Sequence, residues 1–145
     1  MQVEALSYKD AASMTPGTIL QAWLAPRKAW TRYAYVSDLR DLAAAMGLDR
    51  NAIACVATLL DIGRRRGAHA IRVELDAWVA KQRAAHREPA TIYRRVMAVR
   101  SLLAWLAARG ESWAARVVVP IVIVPREPRA SVPTVPRELS SRGEP

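Results

Sequence analysis

The sequence predicts an all-α domain: a bundle of four to five short helices followed by an extended, proline-rich C-terminal linker. Three observations predict it. Apolar residues recur at helical spacing over most of residues 15–112, most clearly at Ile92, Val96, Val99, Leu103 and Leu106. Proline and glycine sit at the boundaries of those stripes. The one β-branched run, Val117 to Val124, is interrupted by Pro120. Proline cannot donate to a sheet ladder, so this run is at most an edge strand or an extended strap along the domain.

Each element follows from local signals. Residues 1–14 show no period and read as a flexible leader. Thr15-Pro16-Gly17 is a helix start, with Thr15 as cap and Pro16 in the first position. Ile19, Leu20, Trp23 and Leu24 follow at helical spacing, and Pro26 ends the helix. A second helix is expected from Thr31 to Met46, with Tyr35, Leu39, Leu42 and Met46 on one face and Gly47 as the stop. Asp49 is placed to cap a third helix with Ile53, Val56, Leu59 and Leu60 as its buried stripe. Gly63 and Gly67 bracket Arg64-Arg65-Arg66, which reads as an exposed turn. A fourth helix is expected over about 68–86, with Ile71, Leu75, Trp78, Val79 and Gln82 aligned. Pro89 opens the fifth, which runs to about Arg109 before Gly110 closes it. Six of the nine prolines lie between residues 120 and 145. That composition makes 113–145 a linker or tail by expectation, because it leaves little to bury.

The chain has 145 residues, 52% hydrophobic and 24% charged, enough for a real core. Its formal charge is +9, and arginine supplies 19 of the 22 positive side chains. The excess is local: residues 62–110 hold eleven basic side chains and three acidic ones, and residues 89–110 hold four arginines and no acid. A bias of this size points to a polyanion, and arginine's planar fork suits phosphate and guanine edges. No apolar run approaches the roughly 20 residues that cross a bilayer, and residues 1–10 lack the pattern of a secretory signal. The expectation is a cytoplasmic protein with no membrane partner.

At 100° per residue, the fifth helix carries Thr91, Arg94, Ala98, Ser101 and Trp105 opposite its apolar stripe. Small residues at 98 and 101 permit close approach to a partner, and Ser101 is counted among the expected DNA contacts. Thr91 and Arg94 are placed to donate to phosphates near the helix N-terminus. This is the pattern of a helix lying in the major groove of double-stranded DNA. The plain alternative is a solvated charged face.

The stretch Pro89-Ala90-Thr91-Ile92-Tyr93-Arg94-Arg95-Val96-Met97-Ala98-Val99-Arg100-Ser101-Leu102 resembles the final helix of the core-binding domain of tyrosine recombinases, the phage-integrase family. Thr31-Arg32-Tyr33-Ala34-Tyr35-Val36-Ser37-Asp38-Leu39-Arg40-Asp41-Leu42 resembles that domain's opening helix. Together the likeness spans roughly residues 15–130. It implies a SAM-like helical domain, residues 15–112, that clamps one side of a recombination half-site. It implies that Thr91, Arg94 and Arg95 contact phosphates or bases, and that Thr31 and Arg32 contact the DNA backbone. It also implies a role in DNA integration, alongside a separate catalytic domain or other recombinase protomers.

Catalysis in that family needs a tyrosine nucleophile, arginines, a lysine and histidine or tryptophan donors in a following domain. No tyrosine follows Tyr93. His69-Ala70-Ile71-Arg72 spells a His-x-x-Arg pattern, but it precedes the signature helix instead of following it. The expectation is therefore a DNA-binding chain that is not an enzyme, an isolated or truncated core-binding domain. His69, His86 and Cys55 are too few and too scattered for a metal site, and Cys55 reads as a small core residue; no cofactor is expected. Two rival readings stand beside this one. One is a helical protein-interaction module whose basic surface meets an acidic protein. The other is part of an enzyme completed by another chain.

Overall fold

The computed structural model describes residues 10–126, and every regular element among them is helical. A 3-10 turn at Ala11–Ser13 precedes α1 (Pro16–Leu24), α2 (Ala29–Ala45), α3 (Ala52–Arg66), α4 (Ala68–Ala84), α5 (Pro89–Ala108) and a single turn, α6 (Ser112–Ala115). α3 packs on α1, α2 and α4, α5 packs on α2 and α4, and α6 closes over α5 and α3. Residues 117–124 form no strand; they run extended across the bundle.

The expected core stripes are buried. Ile92, Val96, Val99, Leu103 and Leu106 of α5 all face inward, as do Ile71, Leu75, Trp78, Val79 and Gln82 of α4. Trp23, Leu39, Leu42, Leu59 and Leu102 complete one contiguous cluster. Burying each such side chain contributes about 1.5–3 kcal/mol, which is what holds short helices of modest intrinsic stability. Thr15 caps α1 as expected, accepting from the Thr18 amide at 3.2 Å. Cys55 is buried in the core, and desolvation pushes its thiol up to about 12.

Four local expectations are corrected. α2 begins at Ala29, so Thr31 and Arg32 lie within its first turn instead of opening it. Asn51, not Asp49, caps α3, its Oδ1 accepting from the Ala54 amide at 3.0 Å. Ile53 is exposed, and Cys55 takes its place in the α3 stripe. Arg64-Arg65-Arg66 are the last turn of α3, not a loop. Gly63 is helical, and its lack of a side chain makes room for Trp113: a Cβ there would sit 2.3 Å from the indole ring. The chain breaks only at Gly67, whose φ of +93° is open to glycine.

The core also reaches beyond residues 15–112. Ala11 is fully buried and its amide donates to the Arg109 carbonyl at 2.9 Å. Trp113, Ala114 and Val122 are buried as well. Arg64 makes a two-pronged contact with Glu111, at 2.9 and 2.8 Å, and the Trp113 indole donates to the same carboxylate at 2.8 Å. These bonds hold Glu111 below the ordinary glutamate range despite its burial. The extended segment is tied down where Arg72 donates to the Val118 carbonyl at 2.8 Å. Residues 1–9 of the expected leader and 127–145 of the expected tail lie outside the described residues.

Candidate nucleic-acid interface

The residues singled out for DNA contact gather along the seam between α2 and α5. Ser101 meets Arg27 just before α2, and Arg94 and Arg95 meet Asp38 and Asp41 further along, so the two helices run antiparallel. The arrangement follows from α5's small residues. Ala98 is fully buried and Ser101 half-buried, the latter against Trp23 of α1 and Arg27, so small side chains here leave room for the chain's own helices to approach. The face expected to meet DNA is thus partly occupied by the protein's own second helix.

At one end of the seam the Trp23 and Tyr35 rings stack with centroids 4.9 Å apart. The Arg27 guanidinium lies over both, 5.7 and 5.2 Å from the two centroids. Trp23 Nε1 and Arg27 Nη2 both donate to Ser101 Oγ, at 3.2 and 3.0 Å. Ser101 is therefore a structural acceptor. Arg32, exposed on α2, donates to the Arg27 carbonyl and keeps its remaining donors in solvent.

At the other end Arg94 Nη1 donates to Asp38 Oδ2 at 2.8 Å. Arg95 Nη1 donates to Asp41 Oδ2 and to Gln82 Oε1, both at 3.0 Å, and the Trp78 indole donates to the same Asp41 oxygen at 2.8 Å. Arg95 is largely buried by these partners, which leaves it locked into the bundle. Arg94 keeps 49% of its side chain in solvent, while Asp38 keeps 1%. Burial pushes the Asp38 carboxyl up from the usual aspartate range, against the pull of Arg94 and Arg95. Thr91 is half-buried in the first turn of α5. Of the six expected contacts, Arg32 and Arg94 retain donors for an outside partner, Thr31 and Thr91 sit partly covered near the seam's two ends, and Arg95 and Ser101 serve the fold.

The surface carries further cations outside these pairs. Among the described residues Lys28, Arg32, Arg40, Arg66, Arg87 and Arg100 have no carboxylate within 4.0 Å. The outward face of α5 carries Tyr93 and Arg100, and the outward face of α2 carries Trp30 and Tyr33. The last two were not anticipated. Their signal is the interleaving of aromatic and basic residues in Arg27-Lys28-Ala29-Trp30-Thr31-Arg32-Tyr33, off the apolar stripe of that helix.

His69 is exposed, while Arg72 is engaged by Asp76 at 2.9 Å and by the Val118 carbonyl. No group of three or more His, Cys, Asp or Glu side chains able to hold a metal ion occurs among the described residues. No helix among them is long and apolar enough to cross a membrane.

Fold and surface together define a basic, all-α domain. No family model, no curated protein and no solved structure matches the chain.

Proposed function

We propose that this domain binds double-stranded DNA with the α2–α5 face, in the manner of a recombinase core-binding domain, and carries no catalytic centre of its own. The observation that supports it most is the pairing pattern of the cations. Several arginines are spent on ion pairs inside the fold, yet a set including Arg32, Arg40, Arg87 and Arg100 remains exposed with no carboxylate beside it among the described residues. Unpaired surface arginines repel one another and gain little from water, so a polyanion is the partner that rewards them. Half-exposed Arg94 and exposed Arg32 are the natural phosphate contacts.

Electrophoretic retardation of a labelled 30-base-pair duplex tests this. Binding is expected at about 50 mM salt, with log K falling against log salt at a slope near −3 or steeper, and with no covalent adduct. Absence of retardation at that salt, or a covalent adduct, would overturn the corresponding half of the proposal. A nearly flat salt response, together with tight capture of an acidic protein, would favour the protein-interaction reading instead.

A further inference from the structure

Trp30 and Tyr33 are 72% and 78% exposed, and they stand three residues apart on α2. Side chains at that spacing are neighbours, about 5–6 Å between Cβ atoms. Trp is normally among the more buried residues, and leaving its ring in water forgoes a large apolar gain. The bundle has not run short of places for tryptophan: Trp23, Trp78 and Trp113 are all buried. The pair also sits in a basic stretch of chain. From residue 11 to residue 37 there is no acidic side chain, and Arg27, Lys28 and Arg32 are neighbours of the two rings in sequence, on adjoining faces of the helix start. Arg27 is held in its stack, but Lys28 and Arg32 are exposed with no carboxylate within 4.0 Å among the described residues.

We propose that Trp30 and Tyr33 form a stacking platform for the unpaired bases of a single-stranded nucleic acid, with Lys28 and Arg32 holding its phosphates. The chemistry discriminates among occupants. Open ring faces offer π-surface to any base, and cations on the adjoining faces of the same helix end are placed to hold the backbone of a strand whose bases stack there. A second copy of this chain would bring the same positive charges together. A Watson–Crick duplex keeps its bases stacked inside and offers the rings only sugar and phosphate. The inference rests on the nucleic-acid reading above; it assigns a second ligand to the start of α2, with Arg32 shared between the two and the rings serving the single strand alone.

The test uses the full chain and a fluorescein-labelled oligothymidylate of 12 residues. Because three other tryptophans are buried and Trp105 is half-buried, quenching of intrinsic fluorescence reports mainly Trp30. Expected results are quenching on titration, loss of about tenfold or more in single-strand affinity for Trp30→Ala and for Tyr33→Ala, and near-native affinity for Trp30→Phe, which keeps a stacking face. Blunt duplex binding is expected to change less than about twofold in all three. Unchanged single-strand affinity in both alanine variants would overturn the platform while leaving duplex binding intact. Equal losses for single strand and duplex would also overturn it, making the rings part of the duplex interface. Quenching by polyglutamate of matched charge, as strong as by the oligonucleotide, would show an acidic-protein surface instead. If neither nucleic acid binds, this inference and the proposed function fall together. Both rings are exposed, so the alanine variants are expected to melt as the native chain does, and a circular-dichroism melt checks it.

Discussion

Removing either side of the Arg94–Asp38 pair breaks the same 2.8 Å contact, yet the two changes should have opposite consequences. Arg94→Ala leaves Asp38 buried, with only Arg95 nearby at 3.9 Å. A buried carboxylate that loses its hydrogen-bond donor costs roughly 1–3 kcal/mol. Asp38→Asn leaves Arg94 half in solvent, where water replaces the lost partner, and leaves Arg95 bonded to Asp41 and Gln82. It also removes a charge whose burial is unfavourable. Its cost should stay below about 1 kcal/mol. Function should move the other way. A guanidinium released from its carboxylate is a better phosphate ligand, so Asp38→Asn should tighten duplex binding while leaving the number of phosphate contacts unchanged. Arg94→Ala should remove one contact and flatten the salt slope by about 0.9. Between 50 and 200 mM salt that difference is about 3.5-fold in affinity per contact. The pH dependence has a definite sign. Asp38's carboxyl is raised in the folded state, so this group's contribution is most favourable below the unfolded aspartate range and is lost as pH rises through the folded value. Arg94→Ala should therefore be least harmful under acid conditions and worst at neutral pH. Urea unfolding of both variants at pH 4 and pH 7, with duplex titrations at three salt concentrations, measures every part. Equal destabilisation by the two substitutions, or weaker DNA binding by Asp38→Asn, would refute the reasoning. Arg66→Ala is the suitable charge control, because Arg109 stacks 3.9 Å over the Trp105 ring and its loss would also disturb packing.

Two further outcomes are expected. Leu103→Ala should cost roughly 2–5 kcal/mol, read as a lower urea midpoint, because its side chain is buried within the core cluster. Arg64→Ala should cost roughly 1–3 kcal/mol at pH 7, by stripping Glu111 of its two-pronged partner. Glu111 is held below its ordinary 4.5, so that stabilisation is present above pH 4.5 and disappears as pH falls through the folded value. Native and variant stabilities should therefore converge at low pH, as followed by fluorescence-detected unfolding.

The parts of the fold legible in the sequence are those governed by local rules. Pro89 and Gly110 bracket α5 because one fits a helix start and the other allows the left-handed φ of +96° that ends it. Gln82 aligns with the α4 stripe and is buried, because Arg95 satisfies its carbonyl. Where long-range contacts decide, the reading failed. Nothing near Gly63 announces that Trp113 needs the missing side chain, so the arginine run after it resembled a loop. Asp49 and Asn51 are both good caps two residues apart, and only the backbone chooses between them. For the candidate site, periodicity identified the core side of α5 correctly. It could not say that Asp41 of α2 would recruit Arg95 as a support, or that Trp23 and Arg27 would recruit Ser101. The small residues at 98 and 101 did carry the signal for a close partner, and that partner belongs to the same chain.

The bond from the Ala11 amide to the Arg109 carbonyl has a consequence for how the domain comes into being. Asp10 lies against Gly110 beside it, so the beginning of the described chain is stitched to the end of α5, nearly a hundred residues later. During synthesis, the first turn must wait for that end to emerge before its donor is satisfied. The core stays open until Trp113 and then Val122 arrive to cover it. Early helices can form on the ribosome, but the cooperative transition is a late event. Contacts this distant in sequence slow a helical bundle relative to one built from neighbours. Excision also has natural limits. A fragment cut at residues 15 and 112 would keep all five long helices and still lose a latch from each side. It should behave as a loosened bundle, exchanging its core amides far faster than the intact domain.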